Sequence, residues 1–289
     1  MTHSEKLQTQ RVSIIVTKRC TLKCKLCGAL APYIESYHPT IDFLKSEVDA
    51  FFRIVDQTGI IDISGGEPLM RGLENDFALG EILLYLTDHY SDKFERVRIF
   101  TNGTIIPSDK LCEVFKKVSD KKPFSLTIDD YGKHSPNVDQ IAKKLSLYGI
   151  DYNARDYIND IHCGGWVDLR DISITNNEAT AKELFVNCAI PQKLGCCLEI
   201  LDGIISPCSV AAARYICGKA GKDDNDIVDL FEDPAKAKEK LNTILTAECF
   251  TSCFSCNGGM SDDSQRFIPA EQATSTEIDE LRSKYCMRL

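Results

Sequence analysis

Short apolar runs alternate with stretches of helical period over the first two thirds of the chain. Runs at residues 12–16, 60–64, 96–100, 124–128 and 150–155 predict strands. Between them, Phe43, Leu44, Val48, Phe51, Phe52 and Val55 share one helical face that stops before Gly59. Phe77, Ile82, Leu83 and Leu86 mark a second helix, and Leu111, Val114, Phe115 and Val118 follow an N-capping Ser108. Ile141, Leu145 and Tyr148 form a fourth helical face, closed by Gly149. Repeating β–α units of this length imply a parallel sheet with right-handed crossovers. The predicted fold class is α/β, a partial (β/α)6 barrel of TIM type followed by a small C-terminal domain. Active sites on such sheets lie at the C-terminal strand ends, where residues 20–27, residues 65–68 and Asn102 fall.

The texture changes near residue 187, which sets expected domains of 1–186 and 187–289. Cysteines become dense, and residues 198–201 and 204–206 read as a hairpin, because Asp202-Gly203 suits a tight turn with positive φ. Asp233-Pro234 opens a helix to about Ala247, and Cys249, Cys253 and Cys256 follow. Residues 219–226 read as a loop.

Composition narrows the function classes. In 289 residues, 43% apolar and 27% charged, a formal net charge of −9 and the lack of any basic block argue against nucleic acid as a partner. An acidic balance favours cationic substrates weakly, and it serves solubility equally well. Residues 1–10 hold no apolar signal core, and no apolar run approaches the roughly 20 residues of a membrane span, so no membrane partner is expected. Fourteen cysteines without an export signal point to a reducing cytoplasm and to metal binding rather than disulfides.

Three of those cysteines, Cys20, Cys24 and Cys27, lie in one C-T-L-K-C-K-L-C run after the first strand. Iron–sulfur clusters normally take four thiolates, so three leave one iron with an open position. The C-x3-C-x2-C spacing resembles that of the radical S-adenosylmethionine (SAM) superfamily. The resemblance implies a partial barrel, a SAM-binding 4Fe–4S cluster on Cys20, Cys24 and Cys27, and reductive cleavage of SAM to a 5′-deoxyadenosyl radical. Leu26 departs from the usual aromatic residue before the third cysteine, which weakens a contact to the adenine region. Gly65-Gly66-Glu67-Pro68 follows the second strand, where two glycines permit close backbone approach and free strand-end amides and carbonyls for a ligand. In the family such a run hydrogen-bonds the methionyl amino group. By the same resemblance Asn102 and Asp129, at the third and fourth strand ends, hold the ribose or the methionyl carboxylate; turn chemistry explains both equally well.

Cys188, Gly203 and Cys208 reproduce the C-x(9–15)-G-x4-C opening of SPASM and twitch domains, and Cys253 and Cys256 would complete four ligands. The C-terminal third resembles the abbreviated twitch form, with one auxiliary 4Fe–4S cluster. Four thiolates also suit structural zinc, and Cys249 competes with Cys253 or Cys256 for ligation. The other cysteines are Cys112, Cys163, Cys196, Cys197, Cys217 and Cys286, and an unliganded buried cysteine usually serves as a small hydrophobe. Related radical epimerases return a hydrogen atom from a thiol, which makes Cys163 and Cys249 candidate catalytic residues, with Cys197 and Cys217 behind them. Substrate-facing candidates are Tyr33, Glu35, Arg155, Asp156, His162, Asp168 and Arg170.

The resemblance thus implies hydrogen abstraction from an unactivated C–H, followed by oxidation or epimerisation, with a flavodoxin- or ferredoxin-type reductant as partner. Only nineteen residues precede Cys20, too few for a leader-peptide recognition domain, so a small sugar-like or aminocyclitol substrate is expected ahead of a ribosomally made peptide. Two rivals remain open. A non-catalytic iron–sulfur redox protein would need neither residues 65–68 nor an open iron. An activator of a glycyl-radical partner would carry its extra cysteines near the first motif.

Overall fold

The computed structural model describes residues 6–159 and 165–285. Four β–α units and a fifth strand come first: β1 (Gln8–Ile15), α1 (Ile41–Ile54), β2 (Gln57–Ser64), α2 (Ala78–His89), β3 (Phe94–Thr101), α3 (Asp109–Ser119), β4 (Phe124–Asp130), α4 (Val138–Leu147) and β5 (Tyr152–Asp156). The rest of the chain adds α5 (Glu178–Asn187), α6 (Ala189–Lys193), β6 (Leu198–Leu201), β7 (Ile204–Ser206), α7 (Ser209–Ile216), β8 (Val228–Asp229), α8 (Pro234–Leu245) and α9 (Ser275–Tyr285). All eight strands form one sheet in the order β5-β4-β3-β2-β1-β6-β7-β8. Pairing is parallel from β5 through β6 and antiparallel at β7 and β8.

The α/β class with a parallel-dominated partial barrel is as expected. Its sixth parallel strand is β6, which comes from the C-terminal third and pairs with β1 at Val12↔Leu198 and Ile14↔Ile200. That addition covers the backbone edge β1 would otherwise present, so residues on both sides of position 187 share one sheet. The hairpin expected at 198–206 forms as β6 and β7, with positive φ at both Asp202 and Gly203.

Period-two alternation separates the two sheet faces. Val12, Ile14, Ile61, Ile63, Val97, Ile99, Leu126, Ile128, Leu198 and Ile200 are all buried in one core with Leu44, Phe51, Leu83, Leu86, Phe115 and Val118 of the helices. Capping fixes where those helices begin. Thr40 accepts from Phe43 N, Ser108 from Leu111 N, and Asp233 from Ala235 and Lys236 N. The alternate positions face the other way and mix polar side chains (Arg11, Ser13, Asp62, Arg98, Thr127, Asp129, Arg155 and Glu199) with apolar ones near the C-terminal strand ends (Ile15, Phe100 and Leu201). A parallel sheet covered by apolar layers on both faces reads as continuous hydrophobic strands. This one keeps a charged inner face.

Candidate active site

The backbone beyond β1 runs directly against the glycine pair. Gly66 N donates to Thr17 O at 2.9 Å and Glu67 N to Arg19 O at 2.9 Å. A Cβ on Gly65 would lie 2.3 Å from Thr17 O, and one on Gly66 would lie 2.0 Å from Arg19 O. The glycines therefore admit residues 17–19, which carry the chain into Cys20. This corrects the expectation that the strand-end amides are free for a ligand: those of Gly66 and Glu67 are engaged within the protein. Glu67 itself is fully buried, and its carboxylate accepts from Leu69 N (3.0 Å), Thr101 Oγ1 (2.9 Å) and Asn102 N (2.8 Å). Burial raises it to about 7 despite those donors. Pro68 opens the short 3-10 turn Pro68–Gly72 that follows.

Asn102 joins the end of β3 to the cysteine loop, since its Nδ2 lies 3.5 Å from Cys20 Sγ and 3.1 Å from Thr21 Oγ1. Leu22 N also donates to Cys20 Sγ at 3.4 Å. The backbone N–H groups of Ala29, Leu30 and Ala31 favour the Cys27 thiolate. Cys24 receives Gln272 Nε2 at 3.4 Å. The three thiols act on one another electrostatically, and burial pushes Cys20 and Cys24 up to about 12 and raises Cys27. Three adjacent thiols on one loop, each met by N–H donors, suit the sulfur-ligated iron of a cluster, whose potential such donors tune. Their protons would leave on loading.

Sequence reasoning missed Gln272 and its neighbours. Residues 271–273 cross the cysteine loop through Lys25 N to Glu271 O (2.7 Å) and Ala273 N to Lys23 O (2.7 Å). Lys25 also pairs with Glu271 at 2.6 Å and with Glu277 at 2.9 Å, holding Glu277 down to about 2. Nothing in a short polar segment nearly 250 positions away signals that contact. An aromatic group was missed as well: Tyr131 and Tyr157 pack with Cys24 and Ala270, and Trp166 lies edge-on to Tyr131 at 5.4 Å.

Asp129 stands at the end of β4 as expected, but its carboxylate takes Arg155 in a fork (2.5 and 2.7 Å) and the Tyr131 hydroxyl at 3.2 Å. Asp168 and Arg170 pair similarly with each other at 2.8 and 2.6 Å. The Tyr33 hydroxyl donates to Lys25 O at 2.8 Å, and Asp156 accepts from Ile158 and Asn159 N in a local turn. Glu35 is exposed. Cys163 and His162 lie outside the described residues.

A second cysteine group forms on the far side of the β6–β7 hairpin. Cys188 separates α5 from α6, Cys208 precedes α7, and Cys253 and Cys256 lie in and after a 3-10 turn at Thr251–Ser255. All four line one cavity together with Phe185, Ile190, Val210, Phe250 and Met260. The turn is anchored twice. Asn176 Nδ2 donates to both Cys253 O and Cys256 O at 2.8 Å, and buried Asp226 accepts from Thr251 N (2.9 Å) and Ser252 N (2.5 Å). Gly258 N faces Cys256 Sγ at 3.4 Å, and Ser252 Oγ lies 3.6 Å from Cys208 Sγ. Burial pushes Cys208 up to about 12 and raises Cys188, Cys253 and Cys256. Cys249 is not among the residues on this cavity; its thiol lies 3.6 Å from Phe250 O.

Among the described residues, no group of three or more His, Cys, Asp or Glu is drawn close enough to hold a single metal ion. Cys112 is buried in the helical core, as expected of a small hydrophobe. Cys217 is disulfide-bonded, which departs from the expectation of thiols and metal ligands alone. Among the described residues no helix is long and apolar enough to cross a membrane.

Residues 14–151 match the model of the Radical SAM superfamily. That superfamily consists of enzymes that carry a 4Fe–4S cluster and use S-adenosylmethionine. Among solved structures, the chain is similar to native anSMEcpe with bound AdoMet and Cp18Cys peptide, at 16% identity, a TM-score of 0.51 and 96% of each chain covered. It is also similar to BtrN in complex with AdoMet and 2-DOIA, at 15% identity and a TM-score of 0.48, over 92% of this chain and 100% of that one. At such identities the likeness is one of fold. No curated protein matches the sequence.

Proposed function

We propose that the protein abstracts a hydrogen atom from an unactivated C–H of a small, polar, sugar-like or aminocyclitol substrate and then oxidises or epimerises it. In this reading Cys20, Cys24 and Cys27 hold the SAM-binding cluster, and Cys188, Cys208, Cys253 and Cys256 hold an auxiliary one. The clusters, when bound, supply the electron that opens SAM to a 5′-deoxyadenosyl radical and an acceptor for an electron from substrate. The remaining work belongs to the chain. The glycine pair and residues 271–273 clamp the cysteine loop at the C-terminal ends of β1 and β2. Asn102 ties Cys20 to β3. The inner sheet face carries charged and hydroxyl side chains, with Ile15, Phe100 and Leu201 among them near the strand ends.

The observation that carries the reading is the clamped loop of three N–H-solvated thiols at the C-terminal ends of the strands. Oxidation and epimerisation part after the abstraction, by loss of one electron and one proton or by return of a hydrogen atom from a thiol. Cys249 and Cys163 are the candidate thiols. The test is anaerobic turnover in deuterium oxide with candidate aminocyclitols. Deuterium fixed at carbon marks epimerisation and a two-electron-oxidised product marks dehydrogenation, whereas the absence of 5′-deoxyadenosine under reducing conditions refutes the proposal.

A further inference from the structure

The three thiols of the first site are not served alike. Cys20 has Leu22 N and Asn102 Nδ2, and Cys27 has the consecutive amides of Ala29, Leu30 and Ala31. Cys24 is buried, and beside its own amide the donor it meets among the described residues is Gln272 Nε2, at 3.4 Å. Gln272 lies opposite Cys24 in an isolated antiparallel bridge, which sends both side chains to the same side. Its amide can sit only one way round. Oε1 accepts from Lys23 N at 2.7 Å, so the NH2 group turns to Ala270 O (2.7 Å) and to Cys24 Sγ. Reversed, an oxygen would face a carbonyl and a thiolate. Ala270, fully buried beside Cys24, Tyr131 and Tyr157, has a φ of 56°. A residue with a side chain keeps that left-handed conformation where its surroundings enforce it, and here it sets the carbonyl that fixes Gln272.

The clamp on the cysteine loop does not need the sulfur contact. Lys25 N to Glu271 O, Ala273 N to Lys23 O and Lys23 N to Gln272 Oε1 already join the two segments. The N–H aimed at sulfur acts on charge instead. Reduction adds negative charge to an iron–sulfur centre and its thiolates, and a fixed N–H dipole stabilises the reduced form more than the oxidised one. We propose that Gln272 is a positioning residue of the first site, which raises the potential of its cluster through Cys24. The C-terminal segment thereby completes a site whose thiols all lie between residues 20 and 27. This rests on the proposed function, in that Cys20, Cys24 and Cys27 are taken to hold a cluster.

The test is EPR-monitored redox titration of anaerobically reconstituted full-length protein, read on the cluster signal that SAM alters. Gln272→Met keeps the bulk and removes the donor. At a fixed solution potential its ratio of reduced to oxidised cluster should be about tenfold lower than the wild type's. One charge-assisted hydrogen bond is worth about that factor, which is about 59 mV for a one-electron couple. Gln272→Glu, in buffer alkaline enough to ionise it, keeps an oxygen for Lys23 N but sets a carboxylate against sulfur, and its ratio should fall further. In the wild type, pulsed EPR should show the same signal coupled to nitrogen-15 in the labelled glutamine side chain, a measurement that needs no variant to fold. An unchanged midpoint in Gln272→Met, a Gln272→Glu midpoint at or above the wild type's, or no nitrogen-15 coupling would each overturn the assignment of Gln272 alone. A wild type without any SAM-responsive cluster would overturn the proposed function and this inference with it.

Discussion

The two cysteine sites are built on opposite plans. The first takes three thiols from eight consecutive residues, held from outside by Gly65-Gly66, Asn102 and Gln272. The second takes four thiols from separate elements spread over nearly seventy residues and encloses them with apolar side chains. A local loop can leave one side open to a ligand. A site assembled from several elements has its thiols on all sides and leaves little room for anything else. The contrast teaches that where the thiols come from, one loop or several elements, decides whether a site keeps one side open.

The largest expected effect falls on the open site. Cys24→Ala should reduce 5′-deoxyadenosine formation to background, measured by chromatography after anaerobic incubation with SAM and dithionite. Cys208→Ala should separate the two sites: SAM cleavage without substrate persists, and product formation stops. Undiminished product from that variant would leave the second site without a role in turnover. Gly66→Ala comes next, because the added methyl would meet Arg19 O at 2.0 Å. A loss of about 1–3 kcal/mol in chemical denaturation is expected for such overpacking, together with weaker SAM binding as residues 17–20 shift. A more modest change is expected from Asn176→Ala, which removes two donors to the carbonyls of Cys253 and Cys256. It should cost about 1–3 kcal/mol and loosen iron at the second site only, read as faster bleaching by chelator with SAM cleavage intact.

The smallest effect concerns the turn that joins the two sites through the β6–β7 hairpin. Glu47 is buried beneath it, accepts from Gly203 N at 2.7 Å, and is raised by burial from 4.5 to about 8. The folded chain therefore keeps a proton that the unfolded chain releases, so this group makes stability fall as pH rises from about 4.5 to about 8. Glu47→Gln should flatten that slope in melting curves collected across the same window. An unchanged slope would show that the carboxyl ionises freely when folded.

Much of the fold was legible because alternating apolar positions and capping residues are local signals. The four β–α units, the fifth strand and the Asp202-Gly203 hairpin lie within a few residues of where periodicity places them. What escaped was contact order. No local pattern shows β6 adding to the β1 edge, since its four residues read only as half of a hairpin. The same holds for residues 271–273 on the cysteine loop and for Asp226 beneath the second site. The motif cysteines were readable from spacing, whereas the packing of Phe250 and Ser252 around four of them, with the Cys249 thiol against Cys253, was not. The glycine pair was found for its flexibility, but its tightest constraint is the chain leading into Cys20 rather than a ligand.

The measurement that bears most directly on two unlike clusters is Mössbauer spectroscopy of anaerobically reconstituted, iron-57-labelled protein, wild type against a variant with Cys20, Cys24 and Cys27 all changed to alanine. Two cubanes, about eight irons per chain, should appear in the wild type, and SAM should alter the signal of a single iron. The variant should keep one cubane that ignores SAM. A wild type with a single cubane, a variant that loses all its iron, or a spectrum indifferent to SAM would contradict this account.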